Sequence, residues 1–296
     1  MKFPANTDMT PETKLVGTIC PSLGNNTMKE ITSKTFSNGK VYLLHTEDGY
    51  PIETTDTFLP FYTKDAVGRK QNALTNYDLG SRAERWMIGV SVMSGCPIRC
   101  KFCATARLKK WRNLTASEIV EQVKFQLSKN GIVPNPFTGK YEVNSKEFKI
   151  NYTRMGEPFL NIEEVQKAIK EIDSLISGTK VHHYVSTMGI RGADFSWISD
   201  NVTLQISVHS FDETHRDWLI PYNRKMSLKE LGQIRTRSNL KTTINLTLVG
   251  ENDFKIEKLK EWFDPKYFFV KLSPLNENDI SDKNNLKGVI TAQNLV

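Results

Sequence analysis

Short apolar segments alternate with longer amphipathic segments along the last two thirds of the chain. Six apolar segments have the length of buried strands, at residues 88–93, 147–152, 181–186, 202–208, 242–248 and 267–272. The segments between them carry apolar residues at helical spacing. Capping-box spacing marks helix starts at Thr115 with Glu118, Asn161 with Glu164, and Ser227 with Glu230, and Asp253 precedes another amphipathic segment. Strands that alternate with helices predict a parallel sheet.

The number of strand and helix units narrows the fold class. Six units are too few for the closed eight-stranded barrel, so the sequence predicts an α/β fold with an open, partial (β/α)6 barrel. Before it, apolar residues at 41–44 and 52–61 flank the turn pair Asp48-Gly49 and predict a small β hairpin or sheet. Residues 1–35 read as an irregular arm. We therefore predict an N-terminal arm and small β extension over residues 1–85, and the partial barrel over residues 86–296.

Composition changes this picture little. The 296 residues are 39% apolar and 25% charged, as in ordinary globular proteins. No apolar run approaches the ~20 residues of a membrane span, and the N-terminus lacks the apolar core of a signal peptide, so we expect a cytoplasmic protein without a membrane segment. The net charge of +7 fits a polyanionic partner or a lysine-rich solvated surface. A basic stretch, Arg107, Lys109, Lys110, Trp111 and Arg112, reads either as a nucleic-acid contact or as a solvated loop.

Three of the four cysteines lie within eight residues, directly after the first predicted strand. Cys96, Cys100 and Cys103 have the spacing Cys-x-x-x-Cys-x-x-Cys. Three thiolates are one fewer than a closed zinc site or a fully ligated iron–sulfur cube needs. A four-iron cluster held by three cysteines keeps one iron open, and an open iron can bind a substrate. Other interpretations are a zinc site that recruits Cys20 or a histidine, or free thiols.

Polar and glycine residues follow the other predicted strands. In open parallel sheets, ligands gather beyond the carboxyl ends of the strands. Residues at these ends are Gly156 and Glu157, Ser186, Ser207 with Val208 and His209, and Asn276. Taken singly, a turn, a helix cap or a structural histidine explains each of them. Their recurrence at successive strand ends predicts one shared pocket.

The cysteine spacing resembles the signature of radical S-adenosylmethionine (SAM) enzymes. The chain is similar, more specifically, to the radical SAM adenine-C2 methyltransferases of ribosomal and transfer RNA, the RlmN and Cfr family. The similar stretches are 47–49 with 52–54, 95–105, 112–123, 155–158, 186–189, 207–209, 216–217, 221–225 and 274–276. They keep the family's order over roughly residues 41–276.

The resemblance implies roles for individual residues. Cys96, Cys100 and Cys103 would ligate a [4Fe–4S] cluster, with Phe102 packed beside it. The residues implied to bind SAM are Gly156 and Glu157 at the methionyl amino group, and Ser186, Ser207, Val208, His209 and Asn276 elsewhere. Glu53 matches the general-base position, although a solvated strand glutamate is an equal interpretation. A reducing partner such as flavodoxin or ferredoxin is also implied.

The sequence departs from the family at two cysteines that its methyl transfer uses. The position seven residues before Cys96 is Gly89, and no cysteine follows Cys103. We therefore expect a radical SAM enzyme that forms a 5′-deoxyadenosyl radical and modifies a nucleic acid, a nucleotide or a related substrate without a methyl-cysteine. The alternatives are an RNA methyltransferase that takes the thiol from a partner, and a catalytically silent SAM-binding, RNA-binding or zinc module.

Overall fold

A computed structural model describes residues 28–60, 63–64, 70–71, 79–250 and 253–289. Within these residues, nine strands form one sheet in which the spatial order equals the chain order. They are β1 Lys29–Phe36, β2 Gly39–His45, β3 Pro51–Leu59, β4 Arg85–Val90, β5 Glu147–Tyr152, β6 Val181–Thr187, β7 Val202–Ser207, β8 Thr242–Leu246 and β9 Phe268–Leu272. Short two-residue pairings join Met93–Ser94 to Arg112–Asn113, Tyr141–Glu142 to Ile176–Ser177, and Thr63–Lys64 to Lys70–Gln71.

The direction of the strands confirms the predicted fold class. Each strand from β4 to β9 pairs in parallel with the next, whereas β1 to β3 run antiparallel and join the sheet through β3 and β4. The sheet ends at β1 and β9, so the barrel is open. The first predicted parallel strand was placed three residues late. It ends at Val90, and the N–H groups of Val92 and Met93 both donate to the carbonyl of Met155.

Helices cover one face of the parallel strands. They are α1 Ala116–Lys129, α2 Ile162–Leu175, α3 Glu213–Leu219, α4 Leu228–Gly232, α5 Ile256–Trp262 and α6 Asp279–Lys283, with 3-10 turns at Ala104–Arg107 and Pro158–Leu160. The core lies between this layer and the sheet, where α1 buries Ile119, Val120, Val123 and Leu127. The capping boxes of Thr115 and Ser227 form as predicted, and each satisfies backbone N–H groups that the first helical turn leaves unpaired.

Two predicted helix starts have a different arrangement. Asn161 does not cap α2 with its side chain; its amide donates instead to the carbonyls of Val92 and Leu114. Asp253 does not cap α5, whose first flanking residue is Lys255. The carboxylate of Asp253 is buried and accepts the N–H groups of Val249 and Gly250. Asn161 thus makes tertiary hydrogen bonds that local spacing does not encode, whereas Asp253 accepts N–H groups three and four residues before it.

The N-terminal extension is continuous with the barrel sheet. The predicted hairpin is present as β2 and β3, with Gly49 at φ +80° in its turn. The arm predicted as irregular contains β1, an exposed edge strand, while residues 1–27 lie outside the described residues. Trp86 Nε1 donates to the buried carboxylate of Asp56 over 2.6 Å and so links β4 to β3. The domain boundary at residue 85 stays a prediction. Among the described residues, no helix has the length and apolar character needed to span a bilayer.

Candidate functional site

The cysteine loop begins where β4 ends, and its backbone has little freedom. Gly95 has φ +71°, and a Cβ there would lie 2.4 Å from the carbonyl oxygen of Lys110. Arg99 also has a positive φ, of +58°, and turns the chain back between the first two cysteines. The N–H of Lys101 donates to the carbonyl of Leu219 at the end of α3. These constraints hold Cys96, Cys100 and Cys103 half-buried at the carboxyl end of the barrel.

The electrostatics of the loop show that the three sulfurs lie in one another's field. Burial, with smaller contributions from Cys103 and Glu157, raises the pKa of Cys96 to about 12. Burial and the two other cysteines raise the pKa of Cys100 far above its usual range. Clustered thiolates without a counter-ion are unfavourable, whereas a bound cation stabilises the deprotonated form. The loop therefore has the properties of a metal-centre ligand set.

A zinc site and an iron–sulfur cluster require different arrangements of the thiols. In a tetrahedral zinc site the sulfurs come within about 3.8 Å of one another. In a four-iron cluster each thiolate binds a different iron, so the sulfurs need not converge on one point. Among the described residues, no three His, Cys, Asp or Glu side chains are arranged to hold one metal ion.

Two asparagines that follow the edge strand β9 fix the cysteine loop, and the sequence analysis did not single them out. The amide of Asn278, after β9, donates to the carbonyl of Phe102 over 3.0 Å, and Asn284 donates to the carbonyl of Lys101 over 3.0 Å. An Arg107–Asp279 ion pair joins the same two segments. More than 170 residues separate the partners, so nothing in the local sequence indicates these contacts.

Glu157 places a buried carboxylate beside the cysteine loop. Its oxygens accept the N–H groups of Phe159 and Met188 at 3.1 and 3.0 Å. Burial raises its pKa to about 7, against the lowering effect of these bonds and of the Thr187 hydroxyl. Gly156, at φ +105°, packs so closely on Met93 that a Cβ would lie 2.6 Å from its side chain. A carboxylate in this position is well placed to bind an ammonium group.

His209 lies in the left-handed region at φ +63° and contacts the cysteine loop through Phe102. The two ring centres are 4.7 Å apart in an edge-to-face arrangement. Its Nδ1 accepts the N–H of Thr247 over 3.1 Å, which leaves the proton on Nε2. Burial, followed by the charge of Arg216, lowers the pKa of His209 to about 4. The imidazole is therefore neutral at physiological pH and presents an N–H donor.

We predict that His209→Asn reduces the loss of stability in acid. Because the pKa of His209 is lowered in the folded state, only the unfolded chain takes up a proton between pH 6.5 and 4. Stability therefore falls as pH falls through this window, by up to about 3 kcal/mol from this residue. Asparagine tolerates a positive φ and can accept the Thr247 N–H. Denaturant unfolding at pH 7 and 4.5 measures the difference, and an unchanged pH slope would contradict the assignment.

A cavity of about 1170 Å³ follows the inner face of the sheet. Ser186, Ser207 and His209 line it near the carboxyl ends of β6 and β7, as predicted. Val208 has a different position, because its side chain is fully buried in the core. Asn276 is exposed, and its carbonyl accepts the amide of Asn278. The structure thus brings the serines, His209 and the loop to one end of the barrel, and their roles toward SAM stay predictions.

Glu53, the predicted general base, forms an ion pair with Arg154. The stem of Arg154 crosses β4 at Gly89, where a Cβ would lie 2.9 Å from Arg154 Cδ and 2.4 Å from Thr55 Oγ1. The catalytic role of Glu53 stays a prediction.

The basic stretch beside the loop contains fewer available charges than its sequence suggests. Arg112 pairs with Asp48 and Glu118 at 2.6 Å and stacks on Tyr50, and Arg107 pairs with Asp279. The exposed residues of this stretch are Arg107, Lys109, Lys110 and Trp111. The stretch is in part a structural ion-pair network that orients the loop.

Comparison with known proteins defines the class. The Radical SAM superfamily profile matches residues 90–263, which include the cysteine loop and all strands from β5 to β8. The chain belongs to the radical SAM superfamily, whose members use a [4Fe–4S] cluster and SAM. The fold agrees, since a radical SAM methyltransferase from Sphaerobacter thermophilus superposes with a TM-score of 0.58 at 22% identity, over 85% of this chain and 68% of the other.

Comparison with individual proteins gives more specific similarities than the superfamily profile does. A probable dual-specificity RNA methyltransferase RlmN of Pseudothermotoga lettingae is 34% identical over 200 residues, which cover 63% of this chain and 54% of the relative. The corresponding Helicobacter hepaticus protein is 33% identical over 197 residues, or 65% and 48%. The Nostoc punctiforme protein is 28% identical over 255 residues, or 82% and 62%. This chain thus spans about half the length of the curated relatives that it matches.

Proposed function

We propose that the protein cleaves SAM reductively and uses the resulting radical to modify a nucleic acid, a nucleotide or a related substrate without a methyl-carrying cysteine. The observation that carries the proposal is the placement of these groups. The three cysteines follow β4, and the buried carboxylate of Glu157 follows β5 at the same end of the barrel. A three-cysteine ligand set with an adjacent buried carboxylate is the minimum that an open cluster and an amino-acid ligand need.

The residues around the loop then have distinct tasks. A cluster held by Cys96, Cys100 and Cys103 would supply the one-electron reduction of the SAM sulfonium, which is the source of radical chemistry in this superfamily. The carboxylate of Glu157 binds the ammonium group, and Gly156 lets the ligand approach the backbone. The neutral imidazole of His209 donates from Nε2, and the hydroxyls of Ser186 and Ser207 face the same cavity. The surrounding strands shield the reaction from water.

Anaerobic turnover tests the proposal directly. Protein reconstituted with iron and sulfide, then supplied with SAM and dithionite, is expected to release 5′-deoxyadenosine and methionine in equal amounts. Liquid chromatography with mass detection measures both products. Flavodoxin or ferredoxin, the proposed physiological reductants, are expected to replace dithionite. A reconstituted protein that contains the cluster and releases neither product would overturn the proposal.

RNA methylation is the second candidate, because the similar curated proteins are named as RNA methyltransferases. Gly89 weighs against a thiol at that position, since Thr55 and Arg154 occupy the space of a side chain. In this second function, we propose that a partner protein supplies the sulfur. Transfer of label from methyl-labelled SAM to transfer or ribosomal RNA would favour this second function, and 5′-deoxyadenosine without labelled RNA would favour the first.

A further inference from the structure

The inner face of the sheet has an unusual composition for a barrel. Small parallel barrels are filled by layers of branched apolar side chains. Here the cavity along β4 to β9 is lined mainly by polar and charged side chains, among them Asn151, Gln205, Thr243 and Asn245. A polar lining with a volume near 1170 Å³ resembles a ligand site, which in proteins typically measures about 300–1,000 Å³.

The charge of this cavity is strongly one-sided. Among the described residues that line it, six are basic and one is acidic. The basic residues are Arg85, Lys146, Lys149, Lys180, Lys241 and Lys271. The carboxylate of Glu147 is shared, because it pairs with Arg85 and also lies 3.1 Å from Lys149 Nζ. Lys241 donates to the carbonyl of Pro265. The cavity therefore has a large excess of positive charge.

Most of these cations lie at the end of the barrel opposite the cysteine loop. Arg85 is the first residue of β4, and Lys146, Lys180 and Lys241 directly precede β5, β6 and β8. Ser186 lies at the carboxyl end of β6, and four residues of strand from His182 to Ser186 span about 13 Å. The cations thus lie at the amino-terminal mouth of the cavity, where Lys146, Lys180 and Lys241 are exposed, away from the region where SAM is proposed to bind.

His182 lies in the electrostatic field of the same lysines. It lines the same cavity and donates to or accepts from the Thr203 hydroxyl at 2.8 Å. Burial, then the charges of Lys149, His183 and Lys180, lower its pKa to about 4, against a smaller opposing effect of Glu147. Burial disfavours a charge of either sign, whereas the charges of Lys149 and Lys180 disfavour a further cation and favour an anion.

The position of the cations at the amino ends of the strands distinguishes between possible phosphate-bearing ligands. An RNA that presents a flipped-out base inserts the base first and keeps its phosphates at the rim. Its phosphates would not reach the amino ends of the strands. A free nucleotide can instead direct its phosphate chain toward the amino ends of the strands. Arginine and lysine, the side chains that bind phosphate, lie there.

We infer that the amino-terminal half of the barrel cavity binds the phosphate groups of a small ligand, a nucleoside diphosphate or triphosphate. As a statement about the substrate, this inference rests on the proposed function. As a statement about binding, it rests on the cavity and its charges alone. Lys149 lies on β5 between the serines and the cations at the amino ends of the strands. Its side chain is 16% exposed, and its Nζ lies 5.2 Å from the ring centre of Tyr184.

Calorimetry on the cluster-containing protein under nitrogen tests the inference. Pyrophosphate and the ribonucleoside triphosphates are the probes, and adenosine and cytidine are the controls without phosphate. We expect the phosphate-bearing probes to bind, and to bind more weakly at high salt. Lys149→Gln with Lys180→Gln is expected to raise their Kd at least ~10-fold. Lys170→Gln with Lys260→Gln removes the same charge from the exposed faces of α2 and α5 and is expected to change little.

Several results would overturn the phosphate site. They are an unchanged Kd in the Lys149 and Lys180 variant, no binding of pyrophosphate or nucleotides, equal binding of the nucleosides, and binding of single-stranded RNA alone. Melting temperatures show whether each variant is folded. SAM cleavage is measured on the same preparation. Nucleotide binding without 5′-deoxyadenosine would leave the site intact and reject the proposed function, whereas the reverse result would reject only the site.

Discussion

Replacement of any one of Cys96, Cys100 or Cys103 by alanine is expected to lower release of 5′-deoxyadenosine by at least about 100-fold, to the level of protein without iron. Replacing groups that only support a metal ligand commonly costs 10- to 100-fold, and here a ligand itself is lost. The reason is specific to this loop, because burial raises the pKa of the Cys96 and Cys100 thiols. Each depends on the bound metal to become a thiolate.

Iron and sulfide content, the absorbance near 400 nm and product formation measure the effect together. Cys20→Ser is the matched control, since it removes a thiol that lies outside the proposed ligand set, and it is expected to keep both the cluster and activity. Circular dichroism establishes that each variant is folded. Full iron loading and activity in Cys100→Ala would contradict the assignment, as would a loss in Cys20→Ser equal to that in the loop variants.

The parallel sheet and the cysteine loop follow from local sequence, which explains why they were predictable. The bounds of β5 agree residue for residue with the predicted segment, because alternating burial is visible as alternating polarity. Thr115 and Ser227 cap as predicted because both partners of a capping box lie within four residues. Asn161 has the same capping-box spacing, but its amide donates to the distant carbonyls of Val92 and Leu114. Such a choice depends on which elements come together in space.

The charged cavity shows the other limit. Lys146, Lys180 and Lys241 each precede a strand, where a lysine in a polar loop ordinarily indicates a solvated turn. Only the parallel topology brings these positions to one end of a common cavity. Likewise, Asn278 and Asn284 resemble ordinary turn and cap residues, yet they fix the cysteine loop. Contacts between residues this far apart in sequence have no local pattern that could reveal them.

Glu157→Gln is expected to raise the Kd for SAM by about 10- to 100-fold. The reason is the loss of one charge-assisted hydrogen bond to the ammonium group, about 2 kcal/mol, where 1.4 kcal/mol corresponds to a factor of ten. The neighbouring N–H groups of Phe159 and Met188 hold the carboxylate in place, so the change of charge occurs in a fixed geometry. Equilibrium binding of SAM to the cluster-containing protein measures it.

A SAM analogue without the α-amino group separates loss of this contact from a general disturbance of the loop. The wild-type protein is expected to bind the analogue as weakly as Glu157→Gln binds SAM, and the variant is expected to distinguish poorly between the two ligands. Glu163→Gln, an exposed glutamate six residues away on α2, is the control and is expected to bind SAM normally. If Glu157→Gln weakened SAM and the analogue by the same factor, the carboxylate would not contact the ammonium group, because removing either partner of a direct contact must abolish the benefit of the other.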